Sequence, residues 1–325
     1  MTGRSPGLLL ALDFGGTKLT AALAGPGQRC WLAHRRSFSP PGVDRQYEYG
    51  AMLDLARALL AETGQPAAAI GVSFGGPVYA PAGLVRLSHH VPGWENVPLA
   101  DWLQADFKVP AAVDNDANVA ALGEFRFGAG QGCQNLLYLT VSTGIGGGWI
   151  LNGQPFGGAE GMAGEIGHTI VQPGGLPCAC GRRGCLEAEA SGLGIAQRAR
   201  SLIAEGSPGD ERLLALADGR PEQITAKMVS QAAAEGDELS RRILTVSAER
   251  LGLGLANAIN LMNPERVILG GGVTKAGEVW WQLVRQTARA NALPEIGVEI
   301  VPAKLGDDAP LWGAVALAEG IMNSE

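Results

Sequence analysis

An α/β fold built twice from one design is what this sequence predicts, on three observations. A strand, a glycine turn and a return strand near the N-terminus recur in the middle of the chain. Strand-length apolar runs alternate with segments of helical periodicity. The chain has 325 residues, beyond the roughly 250–300 at which a single core tends to split, so two domains are expected.

Each element has a local reason. Leu8–Asp13 is an apolar run of strand length, Gly15-Gly16-Thr17 a tight turn, and Leu19–Leu23 the return strand. Tyr47–Leu60 carries apolar residues at helical spacing, Ala69–Ser73 and Ala111–Val113 read as strands, and Ala117–Phe125 as a helix. The opening unit then recurs: strand Leu136–Thr140, glycine turn Thr143–Gly148, return strand Trp149–Leu151. Two unrelated hairpins stay open as the alternative to a duplication, since glycine turns are common. Helices are expected at Gly194–Ala204 and Ala226–Ala234, with a polar surface loop over Gly206–Pro221 between them. A long helix Leu239–Met262 stops at Asn263-Pro264, a strand Arg266–Leu269 runs into Gly270-Gly271-Gly272, and Leu311–Met322 is a last helix.

Bulk properties narrow the function. The chain is 46% hydrophobic and 18% charged with 48 glycines, which excludes a disordered class and signals many tight turns. Net charge is −7 and no Lys/Arg run exceeds two residues, so a nucleic-acid partner is not expected. Arg4, the apolar run Leu8–Leu12 and Ala22-Leu23-Ala24 imitate a secretory signal, but Asp13 and Lys18 interrupt it. No stretch approaches the about 20 apolar residues of a membrane span, so neither membrane nor export is expected. A cytoplasmic setting follows, where cysteines are thiols or metal ligands rather than disulfides.

Three glycine turns at strand ends suggest a nucleotide phosphate site. In Asp13–Lys18, DFGGTK, backbone amides of Gly15 and Gly16, the Thr17 hydroxyl and Lys18 can meet phosphate oxygens, and Asp13 can hold Mg²⁺. It is not a Walker loop, whose spacing and following helix are missing. Thr143, Gly144 and Gly146 in STGIGGG, and Gly271 and Gly272 in ILGGGV, offer two further sets. In DNDAN, Asn115 and Asp116 follow a strand end, a carboxylate base beside an amide that orients a hydroxyl; Asp114 or Asp116 could instead cap the next helix. Cys178 and Cys180 in CACGRRGC are too close for a relaxed disulfide, and with Cys185 they suit tetrahedral Zn²⁺, with His168 as the nearest histidine to supply the fourth ligand. A buried or reactive thiol cluster is the competing reading. Cys30 and Cys133 lie apart and read as small buried residues.

These motifs, with LDFGGTK, NDANVAALGE, LTVSTGIGGG, AGEIGH, CACGRRGCLE and NPERVILGGGV in order along almost the whole chain, resemble the ROK family of repressors, open reading frames and sugar kinases. The resemblance implies an actin-like ATPase (ribonuclease H-like) fold of two duplicated α/β domains flanking a cleft, with residues 1–116 plus 305–325 as the smaller domain and 117–304 as the larger. It implies ATP and Mg²⁺ as cofactors, a structural Zn²⁺ on His168, Cys178, Cys180 and Cys185, and a homodimer or tetramer. Asp116 would be the base toward the 6-hydroxyl of a hexose, glucose above all, with Gly76, Asn115, Glu165, His168 and Glu187 on the sugar ring. The family pattern GIGxPGPV reads GVSFGGPV over Gly71–Val78, and His90 stands where many relatives have asparagine. That puts the identity of the sugar in question: N-acetylmannosamine and N-acetylglucosamine kinases share the set. A family repressor would carry a winged helix ahead of DFGGTK, where twelve residues precede Asp13; a sugar-binding regulator without catalysis is the third possibility.

Overall fold

The computed structural model describes residues 7–322; Arg4 of the signal-like pattern and the last three residues of the expected 305–325 segment lie outside them. In chain order the elements are β1 (Leu8–Phe14), β2 (Lys18–Ala24), β3 (Ala33–Phe38), α1 (Arg45–Thr63), β4 (Ala67–Phe74), β5 (Val78–Tyr79), β6 (Leu84–Val85) and β7 (Val97–Pro98). α2 (Leu99–Phe107), β8 (Ala111–Asn115), α3 (Asp116–Phe127), β9 (Leu136–Val141), β10 (Ile145–Leu151) and β11 (Gln154–Phe156) follow. The chain ends with α4 (Leu186–Ala190), α5 (Gly192–Ala204), α6 (Glu211–Leu216), α7 (Ala226–Ala234), α8 (Glu238–Met262), β12 (Arg266–Gly270), α9 (Glu278–Asn291), β13 (Glu299–Pro302) and α10 (Ala309–Met322).

The duplication expected from the two glycine hairpins is visible in the sheets. One has strand order β3-β2-β1-β4-β8 and the other β11-β10-β9-β12-β13, the same order with each strand exchanged for its counterpart. Two compact units are present: the described residues up to Tyr138 with Gly148–Gly164 and those from Ala303 on, and Leu139–Gly147 with Glu165–Pro302.

In the first unit β1 is buried along its length, as a strand covered on both faces must be. Alternation then splits its side chains. Leu8, Leu10, Leu12 and Phe14 join Met52, Leu59, Leu99 and Leu103 on one face, while Leu9 and Ala11 join Val119, Leu311 and Val315 on the other. Truncating any one of these fully buried leucines to alanine costs about 2–5 kcal/mol. α3 packs against α10. Glu124 of α3 is fully buried; its oxygens accept backbone N–H groups of Leu305 and Ala129, both at 2.7 Å, so both oxygens of the buried carboxyl are satisfied.

In the second unit α8 packs against α4, α7 and α9. Asp237 caps it, accepting from Ser240 N at 2.8 Å, and Asn263 ends it in the left-handed conformation at φ 45°. Three local expectations differ from the structure. α6 forms inside the expected 206–221 loop because Leu213 there is buried. The STGIGGG turn is short: the strand β10 already begins at Ile145, so Gly146–Gly148 are ladder residues. Cys133 is buried as expected, but Cys30 is exposed.

Candidate active site

β1, β4 and β8 are parallel neighbours whose registers pair Asp13 with Ser73 and Ser73 with Asp114, and Phe74 with both Phe14 and Asn115. Their C-terminal ends therefore carry Asp13, Gly75, Gly76, Asn115 and Asp116 to one edge of one sheet, the edge at which α/β sheets bind ligands. This brings together the first-unit residues singled out by the sequence.

Asp13 is 8% exposed and accepts a 2.8 Å hydrogen bond from Ser73 Oγ. Burial pushes its carboxyl up, while the Ser73 bond, Lys18 and Arg36 pull the other way. In the turn that follows, Gly15 N donates to Lys18 O at 3.0 Å and Thr17 N to Gly15 O at 2.8 Å. Gly16 sits at φ 73°, and a Cβ there would fall 2.8 Å from the His90 ring. Left-handed backbone and close contact both demand glycine. His90, whose departure from the family pattern bears on the identity of the sugar, thus packs on the Gly15–Gly16 turn, a contact that its sequence position did not reveal.

Asn115, rather than Asp114 or Asp116, caps α3. Its Oδ1 accepts from Ala117 N at 3.0 Å and Asn118 N at 3.4 Å, and its Nδ2 donates to Gly76 O at 3.0 Å. Asp116 opens α3, half-buried, with Oδ1 accepting from Ala117 N at 2.8 Å, where the helix dipole favours a negative charge. Asp114 is 8% exposed and accepts from Asn115 N at 2.7 Å and Asn118 Nδ2 at 3.1 Å. Ser73 departs from the family pattern, yet its hydroxyl orients Asp13.

In the second unit, Ser142 N donates to Gly144 O at 2.9 Å, closing the turn between β9 and β10. Ile145 N donates to Glu187 Oε2 at 3.0 Å. A Cβ on Gly144 would lie 2.4 Å from that oxygen, so glycine is required for the carboxylate to approach. Gly271 and Gly272 follow β12, the neighbour of β9, so the Thr143–Gly144 turn and the Gly271–Gly272 turn lie on adjacent strands, with Gly146 inside β10.

His168, Cys178, Cys180 and Cys185 come together, every ligand atom within 4.8 Å of the others. Cys178 Sγ lies 3.7 Å from His168 Nδ1, and Cys180 Sγ lies 3.6 Å from Cys185 Sγ. The edge of a tetrahedron with bonds near 2.3 Å is about 3.8 Å, so the donor set fits a tetrahedral metal such as zinc. The Arg182 side chain beside Cys180 lowers that thiol to about 6, whereas burial raises Cys178 and pushes Cys185 up to about 12, so Cys180 is the donor readiest to become the thiolate that metals take. His168 turns its other nitrogen, Nε2, toward Glu165 Oε2 at 3.9 Å, and Cys178 lies 3.9 Å from Glu187 Oε1. Glu165, His168 and Glu187 are therefore gathered around the cysteine knuckle.

The ROK family model matches residues 9–321. The chain belongs to the ROK family. It is 42% identical over 259 residues to a glucokinase of Halalkalibacterium halodurans, which covers 78% of both chains. It is also 33% identical to a ROK family glucokinase of Streptomyces griseus solved in complex with glucose and AMPPNP, with a TM-score of 0.79 over 97% of this chain and 100% of that one. A xylose repressor of Caldicellulosiruptor bescii is 33% identical over 281 residues, 85% of this chain and 69% of that protein. The fold is that of the actin-like ATPases, as the family resemblance implied. No described helix is long and apolar enough to cross a membrane.

The pH dependence of stability tests the electrostatics of this edge. Burial raises the Asp114 carboxyl above its ordinary range, with Asn118 and Asn115 opposing. Above about pH 4 the unfolded chain releases a proton that the folded chain retains, so this group costs stability as pH rises toward its native value. Asp114→Asn is expected to gain melting temperature over the parent progressively as pH rises above about 4, read by thermal unfolding across pH; a pH-independent difference would contradict this.

Proposed function

We propose that this chain is an ATP-dependent hexose kinase that transfers the γ-phosphoryl of Mg-ATP to the 6-hydroxyl of a hexose, with glucose preferred. The observation that carries it is the placement of Asp116 at the helix start beside Asn115, Gly76 and Asp13 on one sheet edge, in a chain so similar to a glucokinase over most of its length.

In this account the Asp116 carboxylate accepts the hydroxyl proton as the sugar oxygen bonds to the γ-phosphorus. The bond from that phosphorus to the bridging oxygen breaks, and its electron pair leaves with ADP. Asp116 acts as much by orienting the nucleophile as by taking its proton. Asn115, whose Oδ1 is used in capping and whose Nδ2 holds Gly76, offers its remaining N–H to the sugar and keeps the Gly76 backbone close. Glu165, His168 and Glu187 are proposed to hold ring hydroxyls. The amides of Gly15 and Gly16, with Thr17 and Lys18, and those at Thr143, Gly144, Gly146, Gly271 and Gly272, are proposed to serve the nucleotide.

Two metals suit the residues present. Asp13, a buried oxygen donor oriented by Ser73, would hold Mg²⁺, which when bound neutralises phosphate charge. His168, Cys178, Cys180 and Cys185 would hold a structural Zn²⁺ that fixes the His168 ring and tautomer, with Glu187 close beside it.

Asp116→Asn is expected to lower kcat at least about 10²-fold with the fold intact, measured as ADP release with glucose; near-normal turnover would remove Asp116 from the chemistry. Metal analysis of chelator-free protein is expected to give about one zinc per chain, lost in Cys180→Ser together with affinity for glucose; zinc-free active protein would defeat the knuckle assignment. His90→Asn is expected to change the kcat/KM ratio of glucose to N-acetylmannosamine on the order of tenfold; an unchanged ratio would take the 86–94 loop out of sugar choice.

A further inference from the structure

A second polar concavity lies in the second unit, built from residues that the reaction does not use. It has a volume of about 320 Å³ and is lined by Gln172, Leu176, Arg183, Glu189, Arg198 and Arg250, with Gly174 and Gly175 in its wall. Three guanidiniums against one carboxylate leave an excess of two positive charges around the space. The carboxylate is already committed: Glu189 is 1% exposed, one oxygen pairs with Arg198, and the other accepts from Leu176 N at 2.7 Å. It neutralises one guanidinium and leaves two without an acidic partner in the lining.

Buried donors sharpen the case. Arg198 Nε and Arg250 Nε are both shielded from solvent and have no hydrogen-bond partner among the described residues. A buried, unpaired N–H on a permanently charged group is costly, on the scale of the desolvation of that group. An anion in the concavity would give both guanidiniums charge-assisted acceptors, and the planar guanidinium fork matches phosphate oxygens in particular. A carboxylate would leave one positive charge uncompensated, whereas a phosphate group near neutral pH brings up to two negative charges. The wall is also fixed in place: Gly184 N donates to Leu176 O at 2.8 Å, and Val171 N and Gln172 N both donate to Gly184 O, at 2.9 and 3.1 Å. The backbone of this wall is thus formed before any ligand arrives, which lowers the ordering cost of binding.

We propose that this arginine-lined concavity binds a phosphate-bearing dianion, either free phosphate or the phosphate group of a small ester. Its charge, its committed glutamate and its unpaired buried donors each select that chemistry. The proposal does not depend on which sugar the chain phosphorylates.

Isothermal titration of the full chain, saturated with glucose and AMPPNP so that the substrate sites are filled, tests this with inorganic phosphate and with glucose 6-phosphate as separate probes. One further site per chain is expected, weakening with added salt. Arg250→Gln and Arg183→Gln should each weaken it at least about tenfold. Arg183 is exposed, so its variant tests the site even if Arg250→Gln alters α8, and melting curves monitor folding in both. Comparable affinity for the two probes assigns the site to free phosphate; tighter binding of the sugar phosphate by more than about tenfold assigns it to an ester. Absence of any additional binding, or binding that survives both substitutions unchanged, would overturn the proposal.

Discussion

Backbone pairing among three parallel strands fixes where chemistry can occur in the first unit. β1 pairs with β4 and β4 with β8, with Asp13, Ser73 and Asp114 in line. A slip of one residue between β1 and β4 would send every β1 side chain to the opposite face, exposing Leu8, Leu10, Leu12 and Phe14 to the α3 and α10 side and parting Asp13 from Ser73. The two-layer core forbids it: alternate β1 residues already fill two separate clusters. Core packing, rather than any contact at the site, therefore holds the candidate edge in register.

Small groups at that edge then tune the geometry. Asn115 ends β8, caps α3 and ties down the Gly76 carbonyl, so one amide joins a strand, a helix and a loop. Ser73 does the same for Asp13 by hydrogen bonding to a carboxyl that burial would otherwise make harder to ionise. The second unit follows the same logic with a different device. There the donor set His168, Cys178, Cys180 and Cys185 draws a loop together, and Glu187 is held between that knuckle and the β9–β10 turn. Both sheets have one strand order, and each unit has its own way of fixing acidic groups near strand ends.

Much of this was legible in the sequence because it is local. The strand, turn and strand of DFGGTK, the stop of α8 at Asn263-Pro264 and the chemistry of three thiols with an imidazole need no long-range knowledge. What escaped is tertiary. The glycines after Ile145 look like a turn, but they form a strand beside Glu187, a residue far along the chain. Which member of DNDAN caps the helix depends on the β8 register, and the contact of His90 with Gly16 depends on how two loops meet. α6 rests on the burial of Leu213, a tertiary fact that its polar surroundings conceal. Ser73 looked like a lapse from a family pattern because a pattern does not say which carboxylate lies across the ladder.

A crystal structure of the chain with glucose and AMPPNP tests the central claim most directly. The account predicts the Asp116 carboxylate within about 2.6–3.2 Å of the glucose 6-hydroxyl oxygen, with Asn115 still capping α3 and holding Gly76. A 6-hydroxyl held by other groups, with the Asp116 carboxylate turned away from the sugar, would contradict it.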